Sequence, residues 1–374
     1  VPSLPVTGAA EPAAIVQLTG GPMVIEGPAG SGKTELLLAR YHHLVERGGT
    51  PERLALVAPS GARAEALRVR LQETLAEGYS ELVVVTPAGL AATVLRRAGR
   101  RPELVDALLG PGDRVALIAE RIAELPLQHH DFGGNAGALL GSFVRRIDRL
   151  KAEGVRPEAY AAWAASLGED GAAEREFAEI FRAHNRFVRD AGACDEHDLI
   201  GLAIGWLREG HVGPFEHVLV DDAQELDRLS LALIRAAAGG KLTAAGDPLG
   251  GVRRFRGASA ARMRSLATDG TRSVRLTDSH RCPEDVMSVA WSLALGNPHG
   301  AGAGPARPAP ERSAVQFWRA ANERAQAQAV AAEIERVLAG DPQATVAVLV
   351  PTVAREGQAV SVALQERAVP HRLV

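Results

Sequence analysis

Eight residues, GPAGSGKT from Gly27 to Thr34, constrain this chain more than any other stretch. They fit G-x-x-x-x-G-K-[ST], a loop that wraps phosphate. They stand between an apolar strand-like run, residues 22–26, and a segment with Leu36, Leu37, Leu38, Tyr41 and Leu44 at helical spacing. Glycine at 27, 30 and 32 lets the backbone turn tightly and face its N–H groups to phosphate, with the positive end of the next helix behind them. The whole loop (Gly27, Pro28, Ala29, Gly30, Ser31, Gly32, Lys33 and Thr34) is the expected nucleotide-binding set, Lys33 reaching the terminal phosphates and the Thr34 hydroxyl reaching Mg2+. The plainer alternative is a glycine-rich turn before an ordinary helix. Lysine is rare, however, occurring only at 33, 151 and 241, and one of the three falls where the loop requires it.

The alternation of short apolar runs with amphipathic segments continues. Residues 54–58 and 82–85 read as strands, with helices after each, which is the start of a parallel, doubly wound sheet. From about 99 to 210 the strands vanish and helical spacing takes over, as in Leu139, Leu140, Phe143, Val144 and Ile147. This segment reads as a helical insertion, either a lobe that meets a partner or a filler on the sheet edge. The pair His129-His130 before Asp131 has no metal-ligand companions and reads as a solvated loop. The sheet resumes with the run from His217, which ends in Asp221 and Asp222. Behind a phosphate loop, the first carboxylate suits the water shell of Mg2+ and the second suits orienting the attacking water, though paired Asp residues also cap turns. Further strands are expected at 241–245 and 274–276. Residues 297–312, rich in Gly, Pro and Ala, read as a linker, and 313–374 as the opening of a second α/β unit with strands at 315–318, 346–350 and 372–374.

At 374 residues the chain has room for two or three domains, and 46% hydrophobic with 23% charged residues is ordinary for a packed core. A net charge of −3 gives no global basic field, so a polyanion would have to bind along a local cleft. Cys194 and Cys282 lack disulfide or zinc spacing, and no signal peptide or long apolar run is present. A cytoplasmic protein without membrane attachment is therefore expected.

In this order the blocks resemble the amino-terminal part of the UvrD/Rep type of superfamily 1 DNA helicases. GPAGSGKT matches the first motif, Leu56 to Leu67 the second, and Val85-Thr-Pro-Ala-Gly-Leu90 the segment after the third strand. Cys194-Asp-Glu-His-Asp-Leu199 is similar to D-F-D-D-L, and Leu219-Val-Asp-Asp-Ala-Gln-Glu225 to the V-D-E-x-Q-D block. Gly246-Asp247 through Phe255-Arg256-Gly257-Ala258 is similar to G-D-x-x-Q-S-I-x-x-F-R-G-A, and His280-Arg281-Cys282 to Y-R-S. The resemblance implies a RecA-like ATP-binding motor formed by residues 1–98 and 211–296, interrupted by the insertion at 99–210 and followed by the start of a second motor domain. It implies ATP with Mg2+, translocation 3′ to 5′ along single-stranded DNA, and duplex separation in repair or recombination. Lys33, Asp221, Asp222, Gln224 and Arg281 take the catalytic positions, Thr34 and Asp221 hold the metal, and Pro59, Thr86, Phe255 and Arg256 fall on the DNA path.

Several positions depart from the family pattern. The water-orienting Glu is Asp222, whose carboxylate is drawn back by about 1 Å, a misplacement that can cost about a hundredfold. The adenine-reading Gln falls at Pro12, Gly250 replaces a Gln, Arg253 a Tyr, and the segment after the third strand lacks its His. Later motifs, with the second arginine, fall beyond Val374. A second reading follows: an ATP-binding, weakly active or inactive scaffold subunit beside a helicase or nuclease partner. A third, some other phosphate-loop enzyme such as a small-molecule kinase, is disfavoured by the ordered blocks at Gln224, Arg256 and Arg281.

Overall fold

The computed structural model describes residues 15–17, 21–75, 78–130, 134–211, 213–267, 270–295, 307–309 and 315–373. The chain divides into two compact units, Val1–Ser313 and Ala314–Val374.

The first unit is built on β1 (Met23–Glu26), β2 (Leu54–Val57), β3 (Val84–Val85), β4 (His217–Val220), β5 (Leu242–Gly246) and β6 (Arg272–Arg275). They lie in the order β3-β2-β4-β5-β1-β6, every ladder parallel, with Val24 opposite Ala244 and Leu56 opposite Leu219. Alternate side chains of a strand face opposite ways, and both faces here are covered. Met23, Ile25, Leu54, Leu56 and Leu219 pack under α1 (Lys33–Glu46) and α2 (Gly61–Thr74). Val24, Ala55, Val57, Val218 and Val220 pack under α3 (Pro87–Arg97) and, further along the chain, the helices at Glu196–Arg208 and Arg228–Ala238. Burial on both faces is why these strands read as unbroken apolar runs. Each fully buried Leu, Ile or Val is worth roughly 1.5–3 kcal/mol, so one charge at Leu219, which has no exposed surface, would break the sheet's centre.

Between the sheet's two halves lie α4 (Pro102–Asp106), α5 (Pro111–Glu120), α6 (Ala136–Ala152), α7 (Pro157–Ala165), α8 (Ala172–Asp190) and α9 (Glu196–Arg208). Helices α5 to α8 close over their own core, in which Phe143, Tyr160, Phe177, Phe181 and Phe187 are buried. Helix α9 differs. It falls inside the stretch that the sequence assigns to the insertion, yet Leu199, Ile200, Ala203 and Ile204 are buried against the sheet, because its apolar stripe covers β-strands and α3 rather than other insertion helices. After it come α10 (Arg228–Ala238), α11 (Ala260–Arg264) and α12 (Glu284–Leu295). Within the stretch read as a linker, β8 (Arg307–Ala309) pairs irregularly with β7 (Asp278–Pro283). Pro12 and Asp131 lie outside the described residues.

The second unit packs α13 (Glu323–Gly340) on α14 (Gln358–Glu366) through Ala327, Ala331, Ile334, Ala363 and Leu364. The strands expected at 315–318, 346–350 and 372–374 do not form ladders among the described residues. A strand persists only with a hydrogen-bonded neighbour and a face to bury; here Phe317 is 83% and Leu349 94% exposed. No helix among the described residues is long and apolar enough to cross a membrane.

Candidate functional site

Parallel ladders bring the C-terminal ends of β1 to β5 to one edge, the place where such sheets receive ligands. The GPAGSGKT loop leaves β1 there and feeds α1. Gly32 caps α1 at φ 84°, a left-handed conformation that side chains resist. At Gly30 (φ 76°) a Cβ would lie 2.8 Å from the Cβ of Arg281, so the glycine also permits close approach. That approach is made by the Ser279–Arg281 segment. The Ser279 hydroxyl donates to the Ala29 carbonyl at 2.9 Å, and the His280 N–H donates to the Gly30 carbonyl at 2.9 Å, which seats Arg281 beside the loop. The Lys33 ammonium donates to the carbonyls of Gly27 (2.9 Å) and Pro28 (2.7 Å). Burial lowers the Lys33 pKa, opposed by the carboxylates of Asp247, Asp222 and Asp221 and reinforced by Arg281. The Ser31 hydroxyl is buried with no protein partner, an orphaned donor inside the loop.

Strands β1 and β4 are separated by β5 alone, about 9.5 Å centre to centre at ordinary spacing, and side chains close that gap. The Thr34 hydroxyl donates to Asp221 Oδ1 at 3.2 Å and Oδ2 at 3.3 Å. Burial raises the Asp221 pKa, and Asp222 adds to it, while Arg63 and Thr34 oppose. Asp222 sits at φ 48°, ψ 45°, a left-handed position that Asp tolerates better than most side chains, with its carboxylate turned partly to solvent. Gln224 is buried; its amide donates to Asp222 Oδ1 at 3.3 Å, and its carbonyl accepts the Asp247 N–H at 2.9 Å. Lys33, Thr34, Asp221, Asp222, Gln224 and Arg281 thus meet at one edge. Two members were not singled out from sequence. Asp247 stands inside the Gly246-Asp247 block, and Arg63, the single arginine of the second block, is one among many in the chain.

The donor set fits the cofactors that the sequence suggests. A hydroxyl and a carboxylate supply two oxygens, and Mg2+ is commonly held by one or two protein oxygens, with water and phosphate oxygens completing the shell. No group of three or more His, Cys, Asp or Glu side chains among the described residues could hold a metal, and His130 is engaged with Glu176 at 2.8 Å. The unpartnered Ser31 hydroxyl at the N-terminal end of α1 suits a phosphate oxygen.

The residues expected on the DNA path lie along the same edge. Phe255 is 72% exposed, not core, with the Arg256 guanidinium 5.8 Å from its ring centroid. Their turn is anchored twice: Arg253 donates to the Pro59 carbonyl after β2, and the Glu225 carboxylate accepts the N–H groups of Val252 (2.8 Å) and Arg253 (2.9 Å). The Thr86 hydroxyl, after β3, is occupied in capping α3, accepting the Gly89 N–H at 3.2 Å.

Comparison with known proteins follows the same lines. Residues 9–270 match the model of the UvrD/REP helicase N-terminal domain. The chain is 27% identical to the ATP-dependent DNA helicase UvrD1 of Mycobacterium tuberculosis over 306 residues, 74% of this chain and 38% of that protein. It is 25% identical to PcrA of Leuconostoc citreum over 289 residues (74% and 37%), and 24% identical to Rep of Salmonella typhimurium over 298 (76% and 42%). It spans about two fifths of the length of these curated relatives. With the loop, the acidic strand end and the arginine turn assembled on a RecA-like parallel sheet, and the family's model covering most of the chain, this protein belongs to the UvrD/REP helicase family.

Proposed function

We propose that this chain is the nucleotide-binding motor portion of an ATP-dependent, 3′ to 5′ single-stranded-DNA translocase and helicase serving repair or recombination. The contact between Thr34 and Asp221 across the sheet carries the reading, because it joins the phosphate loop to the acidic strand end. Lys33 and Ser31 bind the triphosphate, Thr34 and Asp221 hold Mg2+, Asp222 orients the attacking water, Gln224 senses the terminal phosphate, and Arg281 faces the charge that develops there. Bound Mg2+ neutralises phosphate charge. Phe255 and Arg256 offer a stacking platform to the strand, with Pro59 and Thr86 flanking its path.

A second reading is supported by Asp222 itself, short and held in a left-handed turn. In it the chain binds ATP with little turnover and positions a helicase or nuclease partner subunit. Titration with labelled ATP compares wild type with Lys33→Ala, and a weakening of about thirtyfold or more is expected, since losing one partner of a hydrogen-bonded charge pair costs about 2–5 kcal/mol. Equal affinities would remove the nucleotide reading. Hydrolysis measured with and without single-stranded DNA then separates motor from scaffold.

A further inference from the structure

The Arg63 side chain points from the first turn of α2 into the gap between β1 and β4. Its Nη2 donates to the Thr34 hydroxyl at 2.9 Å and to Asp221 Oδ2 at 2.8 Å, and its Nε donates to the same oxygen at 3.1 Å. These are the two side chains through which the chain would hold a divalent cation. We propose that Arg63 is a built-in counter-cation which competes with the divalent ion for Thr34 and Asp221. The proposal rests on the nucleotide-binding reading of this site and extends it by one residue.

The physical reason lies in Asp221. Its side chain is 1% exposed, and a buried carboxylate without a counter-charge is costly. A cation seated beside it before nucleotide and metal arrive offsets that cost. Arg63 meets that need with three directed N–H bonds, and it is movable in a way that its partners are not. Its side chain is 38% exposed on a long flexible stem, whereas Thr34 is fixed at the start of α1 and Asp221 at the end of β4. A second seat is at hand, since Asp222 Oδ2, on a side chain 34% exposed, lies 3.6 Å from Arg63 Nε. Moving outward, the guanidinium leaves Asp221 and stays paired with Asp222. Two consequences follow. Nucleotide binds with less dependence on metal than an open Thr34–Asp221 pair would give, and metal affinity is reduced by the work of displacing the guanidinium.

Two measurements on the whole chain test this, using wild type, Arg63→Gln, Arg63→Lys and Asp221→Asn, each checked for folding by circular dichroism. In the first, Mn2+ binding is followed by electron paramagnetic resonance without nucleotide. Arg63→Gln is expected to bind Mn2+ more tightly than wild type, on the order of tenfold, a typical coupling between competing ligands. Arg63→Lys should fall between the two, and Asp221→Asn should lose the site. In the second, the affinity for a fluorescent ADP analogue is compared in Mg2+ and in EDTA. The dissociation constant in EDTA divided by that in Mg2+ should rise in Arg63→Gln, because the variant loses metal-free support and gains metal affinity. Folded Arg63→Gln with wild-type Mn2+ affinity and an unchanged ratio would overturn the proposal while leaving nucleotide binding intact. Wild type that binds no nucleotide, but still binds Mn2+ more weakly than Arg63→Gln, would sink the nucleotide reading and leave the competition standing.

Discussion

Two clusters of opposite charge lie within the first unit, and they are built on different principles. One is the site edge. The other joins the helical segment to the sheet. There Lys151 donates to Asp195 at 2.6 Å and to both oxygens of Asp198 at 2.8 Å, Arg114 grips Asp148 with two bonds of 2.7 and 2.9 Å, and Asp195 also caps α9 by accepting the N–H groups of His197 and Asp198. Burial alone would raise the Asp195 pKa, but Lys151 and Arg114 outweigh it and hold this carboxyl well below the usual range. The charges of Lys151, Arg114, Asp148, Asp195 and Asp198 each have a directed partner supplied by the fold, while the adjoining His197 Nδ1 has no hydrogen-bond partner. At the site edge Lys33 rests on its own loop's carbonyls, the Ser31 hydroxyl has none, and Asp222 is held in a rarely populated turn. A cluster that completes itself stabilises the fold, and a cluster with donors to spare is arranged for something that comes and goes.

That contrast is open to direct attack. The largest effect is expected from Lys151→Ala, which takes the ammonium from Asp198 and leaves Asp195 with Arg114 as its one nearby cation; it should cost about 3–5 kcal/mol in urea unfolding, while ATP affinity stays within about twofold. Loss of nucleotide binding at unchanged stability would erase the distinction. Next in size is the response to acid. Burial, helped by Lys151, holds His184 down at about 4, and burial with Arg40 and Lys241 does the same for His217. The unfolded chain takes up these protons near the ordinary value of about 6.5 and the folded chain does not. Stability is therefore complete above about pH 6.5 and is lost as pH falls toward 4, by up to roughly 3 kcal/mol for each histidine. Thermal melts at pH 7.5 and 5.0 check this, and equal midpoints would contradict it. The smallest change should come from Asp222→Glu. Restoring the longer carboxylate is expected to raise DNA-stimulated turnover several-fold, at a cost of up to about 1 kcal/mol from a bulkier side chain in the left-handed turn. Turnover that stays flat would detach Asp222 from water orientation.

Much of this was legible in the sequence because local pattern and tertiary role agree there. The strands from Met23, Leu54, His217 and Leu242 are buried on both faces, so their apolar runs announce them, and the spacing of GPAGSGKT dictates its own turn. Where partners decide, the pattern misleads. Helix α9 carries an ordinary amphipathic stripe that does not reveal which surface it covers, and residues 346–350 look like a strand but have no neighbour to pair with among the described residues. Arg63 was hidden for a related reason. In a chain whose positive charge is nearly all arginine, only the bonds that this side chain makes to Thr34 and Asp221 distinguish it.

The short turn Ala223–Glu225 has two ends of different character. Gln224 touches Asp222 and Asp247, while its neighbour Glu225 grasps the backbone of Val252 and Arg253, two residues from the exposed ring of Phe255. On the proposed function, a shift of Gln224 would reach the turn that bears Phe255 through one peptide bond and the two hydrogen bonds of the Glu225 carboxylate, so the nucleotide side and the exposed ring share a short connection.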